Sequence, residues 1–200
     1  MLKQHEKLIL ASASPRRKEL LSSMGIQFIV QPSDIAEVGY GGTPDKVPSR
    51  IVMQKMKAAI CNLAAPSGRM ENIYFLAADT IVAIEQKIYG KPENIEHARS
   101  MLSELSDKTH QVYTCFRIED LSGEFVEKTI RTDVKMRKIS NEMLQWYLDT
   151  QEPFDKAGSY AIQGYGSVLV ESIQGSYTNV VGLPMAEVMD GLVELKVVSF

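Results

Sequence analysis

Apolar and polar positions along the chain alternate in two rhythms. "LILAS" (residues 8–12) is a continuous apolar run of the kind a buried strand shows. "SASP" then reads as a turn, and "RRKELLSSM" as a helix with Ser14 as its cap and Pro15 at its first position. "QFIVQPS" (27–33) predicts a second strand. The segment 34–48, "DIAEVGYGGTPDKVP", holds three glycines and two prolines and predicts a loop. A helix capped by Ser49 follows over 49–65, "SRIVMQKMKAAICNLAA", with its methionines as core filler.

Further on, "NIYFLAADTIVAIEQKIYGKP" (72–92) is rich in β-branched and aromatic residues and predicts strand ending in a hairpin. "NIEHARSMLSEL" (94–105) is an amphipathic helix with Asn94 as cap. "THQVYTCFRIED" and "EFVEKTIRTDVKMRKI" alternate in period two around "LSGE", a second hairpin. Ser140 opens the helix "NEMLQWYLD", "EPFDKAGSYAIQGYG" (152–166) is a glycine-containing loop, "SVLVESI" is a strand, and "PMAEVMDGLVEL" is a terminal helix with Pro184 at its start. Strand–helix alternation mixed with hairpins predicts an α/β fold with a mixed sheet. The length, with no composition shift marking a linker, predicts one domain over residues 1–200, in which the central hairpins could make a separate lobe.

Composition narrows the function classes. At 200 residues the chain can bury a sizeable core, and 44% apolar with 24% charged residues is ordinary for a globular protein. A net charge of −3 argues against a nucleic-acid partner, which would call for a basic excess, yet leaves room for one basic pocket. The two cysteines, Cys61 and Cys115, form no C-x-x-C and fit a reducing compartment as small core hydrophobes. No apolar run reaches the roughly 18 residues of a membrane span, and "MLKQHEKLIL" is too short in apolar character for a signal peptide. These features predict a cytoplasmic protein with no membrane partner.

The first chemical signal is an electrostatic oddity. Arg16 and Arg17 sit in the first turn of a helix whose N-terminus already carries about +0.5 charge, where each cation costs roughly 0.3–1 kcal/mol. A bound anion removes the conflict. The strand–turn–helix junction offers free backbone N–H groups, Ser12 and Ser14 add hydroxyls, and the two guanidinium forks suit phosphate oxygens. On pattern alone the same arginines are also compatible with an outward, solvated face.

The second signal is Asp79, which interrupts the apolar run of "AADTIVA". A buried carboxylate needs a partner or a cation, so Asp79 could bind a divalent metal or orient an attacking water; a capped turn aspartate is the plainer reading. Lys91 in "YGKP" would return towards Asp79 if the strand folds back as a hairpin. Lys57 on the preceding helix and Lys156 in the glycine-containing loop could join it in a phosphate cradle, although any one lysine is ordinarily a solvated surface charge. In the third stretch, "DKAGSYAIQGYGS", small residues allow close backbone approach, and Gln163 carries the donor and acceptor that reading a base requires. A structured loop with no ligand is the competing reading.

Several chemistries find no support. There is no G-x-x-x-x-G-K-[ST] and no G-x-S-x-G, and His5, His97 and His110 are scattered without zinc spacing. Carboxylates with lysines and arginines point to metal-assisted phosphoryl chemistry.

The segments "LASASPRRKELL" (10–21), "ADTIV" (78–82), "GKP" (90–92), "EPFDKAGSYAIQGYG" (152–166) and "GSYTNVVGLP" (175–184) together resemble the Maf-like nucleoside triphosphate pyrophosphatases, in family order along nearly the whole chain. The resemblance implies cleavage of a nucleoside triphosphate between the α and β phosphates with a divalent cation, Mg²⁺ or Mn²⁺. It further implies a cytoplasmic protein, often a homodimer, with a mixed, twisted β-sheet flanked by helices and a central cleft, similar to the fold of the inosine-triphosphate pyrophosphatases. By position, it implies Asp79 as proton acceptor and Arg16, Thr80 and Gln163 as residues that separate substrate classes. Arg17, Lys57 and Lys91 fall on phosphate-side positions, and Glu37 on an acidic position near the metal. The combination of Arg16, Thr80 and Gln163 resembles the branch acting on dTTP and UTP. Two other roles remain open: a house-cleaning pyrophosphatase for modified nucleotides, and a nucleotide-sensing regulator of cell division or septum formation.

Overall fold

Period-two alternation in the buried strands decides which side chains meet which helix. The computed structural model describes residues 2–33, 41–62 and 73–200. A short β1 (Lys3–Gln4) leads into β2 (Lys7–Leu10), α1 (Pro15–Ser23), β3 (Ile29–Val30), α2 (Val47–Cys61), β4 (Ile73–Ile84) and β5 (Lys87–Tyr89). Then come α3 (Ile95–Leu105), β6 (Thr109–Asp120), β7 (Phe125–Met136) and α4 (Asn141–Asp149). Three 3-10 turns (Glu152–Asp155, Ala157–Ser159, Gly164–Leu169) precede β8 (Val170–Gln174), α5 (Tyr177–Val181), α6 (Met185–Glu194) and β9 (Val198–Ser199).

Among the described residues seven strands form one mixed sheet in the order β3-β2-β4-β6-β7-β8, with β5 folded back on β4. β2 is parallel to both β3 and β4, and the other pairs are antiparallel. β1 and β9 make a separate two-stranded pair that ties the N-terminus to the C-terminus. The expected mixed α/β sheet with flanking helices is therefore the observed one.

Side chains of alternate parity on β2 and β4 face opposite layers. Leu8, Leu10, Leu76 and Ala78 pack with Leu21 of α1 and with Val188 and Leu192 of α6. Ile9, Ala11, Phe75 and Ala77 pack against Val52, Met56 and Ala59 of α2. A third cluster joins α3 and α4 to the far end of the sheet around Tyr147, Leu102 and Val134. Burying each such leucine or phenylalanine contributes about 1.5–3 kcal/mol, which is what holds the helices on the sheet.

Helix starts divide the expectations. Asn94 accepts the His97 N–H and Ser140 accepts the Met143 N–H, as the capping rule predicts. Ser49 does not cap: α2 begins two residues earlier, at Val47, and Ser49 Oγ instead donates to Glu127 Oε1 at 2.6 Å. Pro48 at the second position explains this, because its missing N–H and fixed φ suit the first turn. Ser14 stands before α1, but its side chain accepts no N–H from the helix; its own N–H donates to Ser12 Oγ at 3.3 Å. The "SVLVESI" strand begins only at Val170, because Gly164–Leu169 coils into a 3-10 turn.

The connection leaving β2 runs through α1 to β3 on one side, and β4 lies on the other side. The crevice beyond the carboxyl end of β2 is thus a topological switch point, the place where open α/β sheets bind ligands. β2 stops opposite Leu76, whereas β4 continues to Ile84, so residues 77–84 of β4 pass the end of β2. Asp79 and Thr80 lie on that extension.

Candidate active site

A cleft of about 420 Å³ opens at this point, lined by the 11–17 turn, α2, the middle of β4, Lys91, the 155–163 loop and residues 180–182. Its residues arrive from elements far apart in the chain, and local rules explain most placements. On β4 the parity that sends Phe75 and Ala77 to α2 also sends Asp79 there, while Thr80 follows Leu76 and Ala78 to the opposite layer.

On the α2 side Asp79 meets a lysine. Lys55 Nζ donates to Asp79 Oδ1 at 2.6 Å, with the two side chains 16% and 13% exposed. Lys57, the expected cradle residue, is exposed and does not line the cleft. This corrects the expectation, and helix geometry supplies the reason: two residues along a helix turn a side chain by about 200°. The signal was present in the pattern. Ile51, Val52, Met56 and Ala59 define the buried stripe of α2, and position 55 lies on that stripe.

On the other side Arg17 is the fastening point. Its Nε donates to the Gly182 carbonyl at 2.8 Å, Nη1 to Ser12 Oγ at 3.1 Å, and Nη2 to Thr80 Oγ1 at 3.1 Å. One guanidinium therefore joins the 11–14 turn, β4 and the segment after α5. Burial pushes the Arg17 guanidinium below its ordinary range; Asp79 opposes that shift and Arg16 adds to it. A buried cation beside a second cation is an environment that an anion relieves. Each terminal nitrogen of Arg17 carries two N–H groups, of which these bonds to described residues use one. The Thr80 hydroxyl lies 2.9 Å from Thr114 Oγ1, so it too is tied into this framework. Thr114 Oγ1 donates to the Asn179 carbonyl at 3.0 Å, and the Asn179 amide donates to the Val112 carbonyl at 3.1 Å, which docks α5 on β6.

Arg16 is part-exposed and its Nη1 stands 3.7 Å from Asp155 Oδ2. Asp155 also pairs with Lys156. Burial pushes the Asp155 carboxyl up, but the Lys156 hydrogen bond and charge, with Arg16, outweigh it and hold the group below its ordinary value. Gly158 carries φ +69 and packs where a Cβ would lie 3.0 Å from Val82, while its N–H donates to the Gly90 carbonyl at 3.0 Å. That contact brings the Lys156 loop against the turn that carries Lys91. Ser12, Ser14, Arg16, Arg17, Thr80, Lys91, Lys156 and Gln163 all line the cleft with Asp79. Glu37 lies outside the described residues.

Tyr160 borders the same cleft, and its hydroxyl lies 2.7 Å from Nε2 of the fully buried His110. Burial lowers the His110 pKa to about 4, against a weak opposing pull from Asp133. No sequence signal marked this pair, because a lone histidine on a strand carries no spacing information.

Between residues 7 and 195 the chain matches the family described as Maf-like protein. The chain belongs to the Maf-like family. Within it, a dTTP/UTP pyrophosphatase of Pyrococcus furiosus is 44% identical over 191 residues, covering 95% of each chain. One of Citrifermentans bemidjiense is 47% identical and covers 94% of this chain and 95% of its own. A dTTP/UTP pyrophosphatase of Syntrophus aciditrophicus is 41% identical over 98% of this chain and 93% of its own. Among solved structures, a nucleoside-triphosphatase described as a dITP/XTP pyrophosphatase, from Mycobacterium abscessus, aligns over 95% of this chain and 94% of its own at 12% identity and a TM-score of 0.45. The elements that the Maf-like match spans include every described residue of the cleft.

Proposed function

We propose that this Maf-like chain hydrolyses the α–β phosphoanhydride of dTTP and UTP to the nucleoside monophosphate and pyrophosphate, as a cytoplasmic homodimer using Mg²⁺ or Mn²⁺. The observation that carries the reading is the buried Asp79 carboxylate, held by Lys55 at 2.6 Å, in a cleft that also presents Arg16, Arg17, Lys91 and Lys156. The names of the relatives support the same reaction and the pyrimidine substrates. No helix of the described residues is long and apolar enough to cross a membrane, and Cys61 and Cys115 are free thiols, which suits a reducing compartment.

In this mechanism the cationic side chains bind the triphosphate and align its leaving group with an incoming water. Lys55 orients the Asp79 carboxylate, which takes the water proton. The water oxygen bonds to the α-phosphorus as the bond to the α–β bridging oxygen breaks. The electron pair leaves on pyrophosphate, whose charge Arg16, Lys91 and Lys156 stabilise. Gln163 faces the base with one donor and one acceptor.

The donor set fits a cation that arrives with the nucleotide. No group of three or more His, Cys, Asp or Glu side chains occurs among the described residues, and Mg²⁺ characteristically takes one or two carboxylates plus substrate phosphate oxygens. Asp79 would hold it, with Glu37 as the second carboxylate implied by the family resemblance. When bound, such a cation neutralises phosphate charge and makes a bound water more acidic.

The test is product analysis with canonical and modified triphosphates in Mg²⁺ and in Mn²⁺, alongside light scattering for the dimer. The expected products are monophosphate and pyrophosphate, fastest from dTTP and UTP. Orthophosphate with nucleoside diphosphate, or tight binding without turnover, overturns the reading. A faster reaction with modified nucleotides replaces the substrate assignment by the house-cleaning role.

A further inference from the structure

The loop that presents Gln163 is held from behind by a carboxylate that is not among the described residues lining the cleft. Glu152 opens the first 3-10 turn, eleven positions before Gln163 in the sequence. Its Oε1 accepts the Gly166 N–H at 2.8 Å and the Tyr147 hydroxyl at 3.0 Å, and its Oε2 accepts the Tyr165 N–H at 3.0 Å. Those two N–H groups lie at the start of the Gly164–Leu169 turn, where helical backbone leaves donors without partners, and Gln163 is the residue that precedes that turn. Tyr147, itself fully buried, accepts the Ala161 N–H at 3.3 Å. One carboxylate and one phenol thus grip the backbone on both sides of Ile162 and Gln163.

The close approach is built into the sequence at two glycines. Gly164 has φ +67, and a Cβ there would collide with Glu152 Oε2. A Cβ at Gly166 would collide with the Ala161 carbonyl and stand 2.8 Å from the Tyr147 hydroxyl oxygen. Both carboxylate oxygens accept, so an amide in place of Glu152 would turn an NH₂ group towards one of the donors.

We infer that Glu152, with Tyr147, is a positioning residue for substrate selection: it sets where the Gln163 side chain meets the base. This rests on the pyrophosphatase reading above. A group that only stabilises the fold would affect all triphosphates alike, whereas a group that places Gln163 changes the ratio between bases.

The experiment measures pyrophosphate release from UTP and GTP for the parent, Glu152→Gln, Tyr147→Phe, Gln163→Ala and the Glu152→Gln/Gln163→Ala double variant, with a thermal melt of each. Glu152→Gln is expected to lower the UTP-over-GTP ratio of kcat/KM about tenfold, chiefly by raising KM for UTP. Tyr147→Phe moves the ratio in the same direction by less, and the double variant discriminates no worse than Gln163→Ala alone. A folded Glu152→Gln with the parental ratio overturns the inference, and so does an additive loss in the double variant. Should Glu152→Gln fail to fold, the near-isosteric Tyr147→Phe decides on the same readout. If the parent releases no pyrophosphate from any triphosphate, the pyrophosphatase reading fails, and the Kd ratio for UMP and GMP by calorimetry still decides whether the clamp sets base preference.

Discussion

Replacing Asp79 by asparagine separates the chemistry of the cleft from its architecture. The side chain keeps its shape and an oxygen for Lys55, and only the charge is lost. The pair is short, 2.6 Å, and neither side chain is more than 16% exposed, so solvent screens it weakly. A charge-assisted hydrogen bond contributes about 1.5–3 kcal/mol. Breaking a fully buried pair costs roughly 3–5 kcal/mol, but Lys55 borders an open cleft that water can enter, so the lower range applies. A loss of about 2 kcal/mol in a chain of this length lowers Tm by roughly 4–8 °C. Turnover should fall by about 10²–10⁴, the range for removing a positioned acid–base group. Nucleotide binding should respond oppositely: without divalent cation the variant binds UTP more tightly than the parent, because a carboxylate beside the polyphosphate has become neutral. Pyrophosphate release, a thermal melt and calorimetry in chelator read the three effects. An Asp79→Asn enzyme within tenfold of parental turnover refutes the role of Asp79 in water activation. An unchanged Tm refutes the energetic account of the Lys55 pair.

Three further outcomes are expected. Lys57→Ala leaves pyrophosphate release within twofold or so of the parent, since surface changes rarely exceed about 0.5 kcal/mol, whereas Lys55→Ala lowers it by at least about tenfold; equal effects would contradict the helix phase seen here. Arg17→Lys cannot reach the Gly182 carbonyl, Ser12 Oγ and Thr80 Oγ1 together and should destabilise the chain by about 2–4 kcal/mol in urea unfolding, with an unchanged midpoint counting against the fastening role. His110, with its folded pKa lowered to about 4, makes stability depend on pH. The unfolded chain takes up that proton below about pH 6.5 and the folded chain does not, so the contribution is complete above that pH and is lost as pH falls towards 4. Between about pH 7 and pH 5 the loss from this group is about 2 kcal/mol, and His110→Phe should flatten that part of the urea-midpoint profile.

Much of the molecule was legible along the chain because its causes are local. Period-two and helical patterns located the main strands and helices, Asn94 and Ser140 announced their helices, and the two arginines at a helix start pointed, through a conflict confined to one turn, to residues that the structure places in the cleft. The same local rules placed Asp79 in a strand; that β4 runs on past the end of β2 there is a property of the sheet. Folding decided the rest. Which arginine turns inward depends on acceptors from residue 182 and residue 80, more than sixty positions away from Arg17. Whether residue 55 or 57 reaches the carboxylate depends on how α2 lies on the sheet, and whether Ser49 caps depends on Glu127 across the fold. The His110–Tyr160 pair and the Glu152 grip on the Gln163 loop likewise join residues brought together by the tertiary structure. A residue's own neighbours determine its backbone preferences, but the partners of a buried charge come from whichever segments the packed sheet brings within about 3 Å, and no local pattern records that meeting.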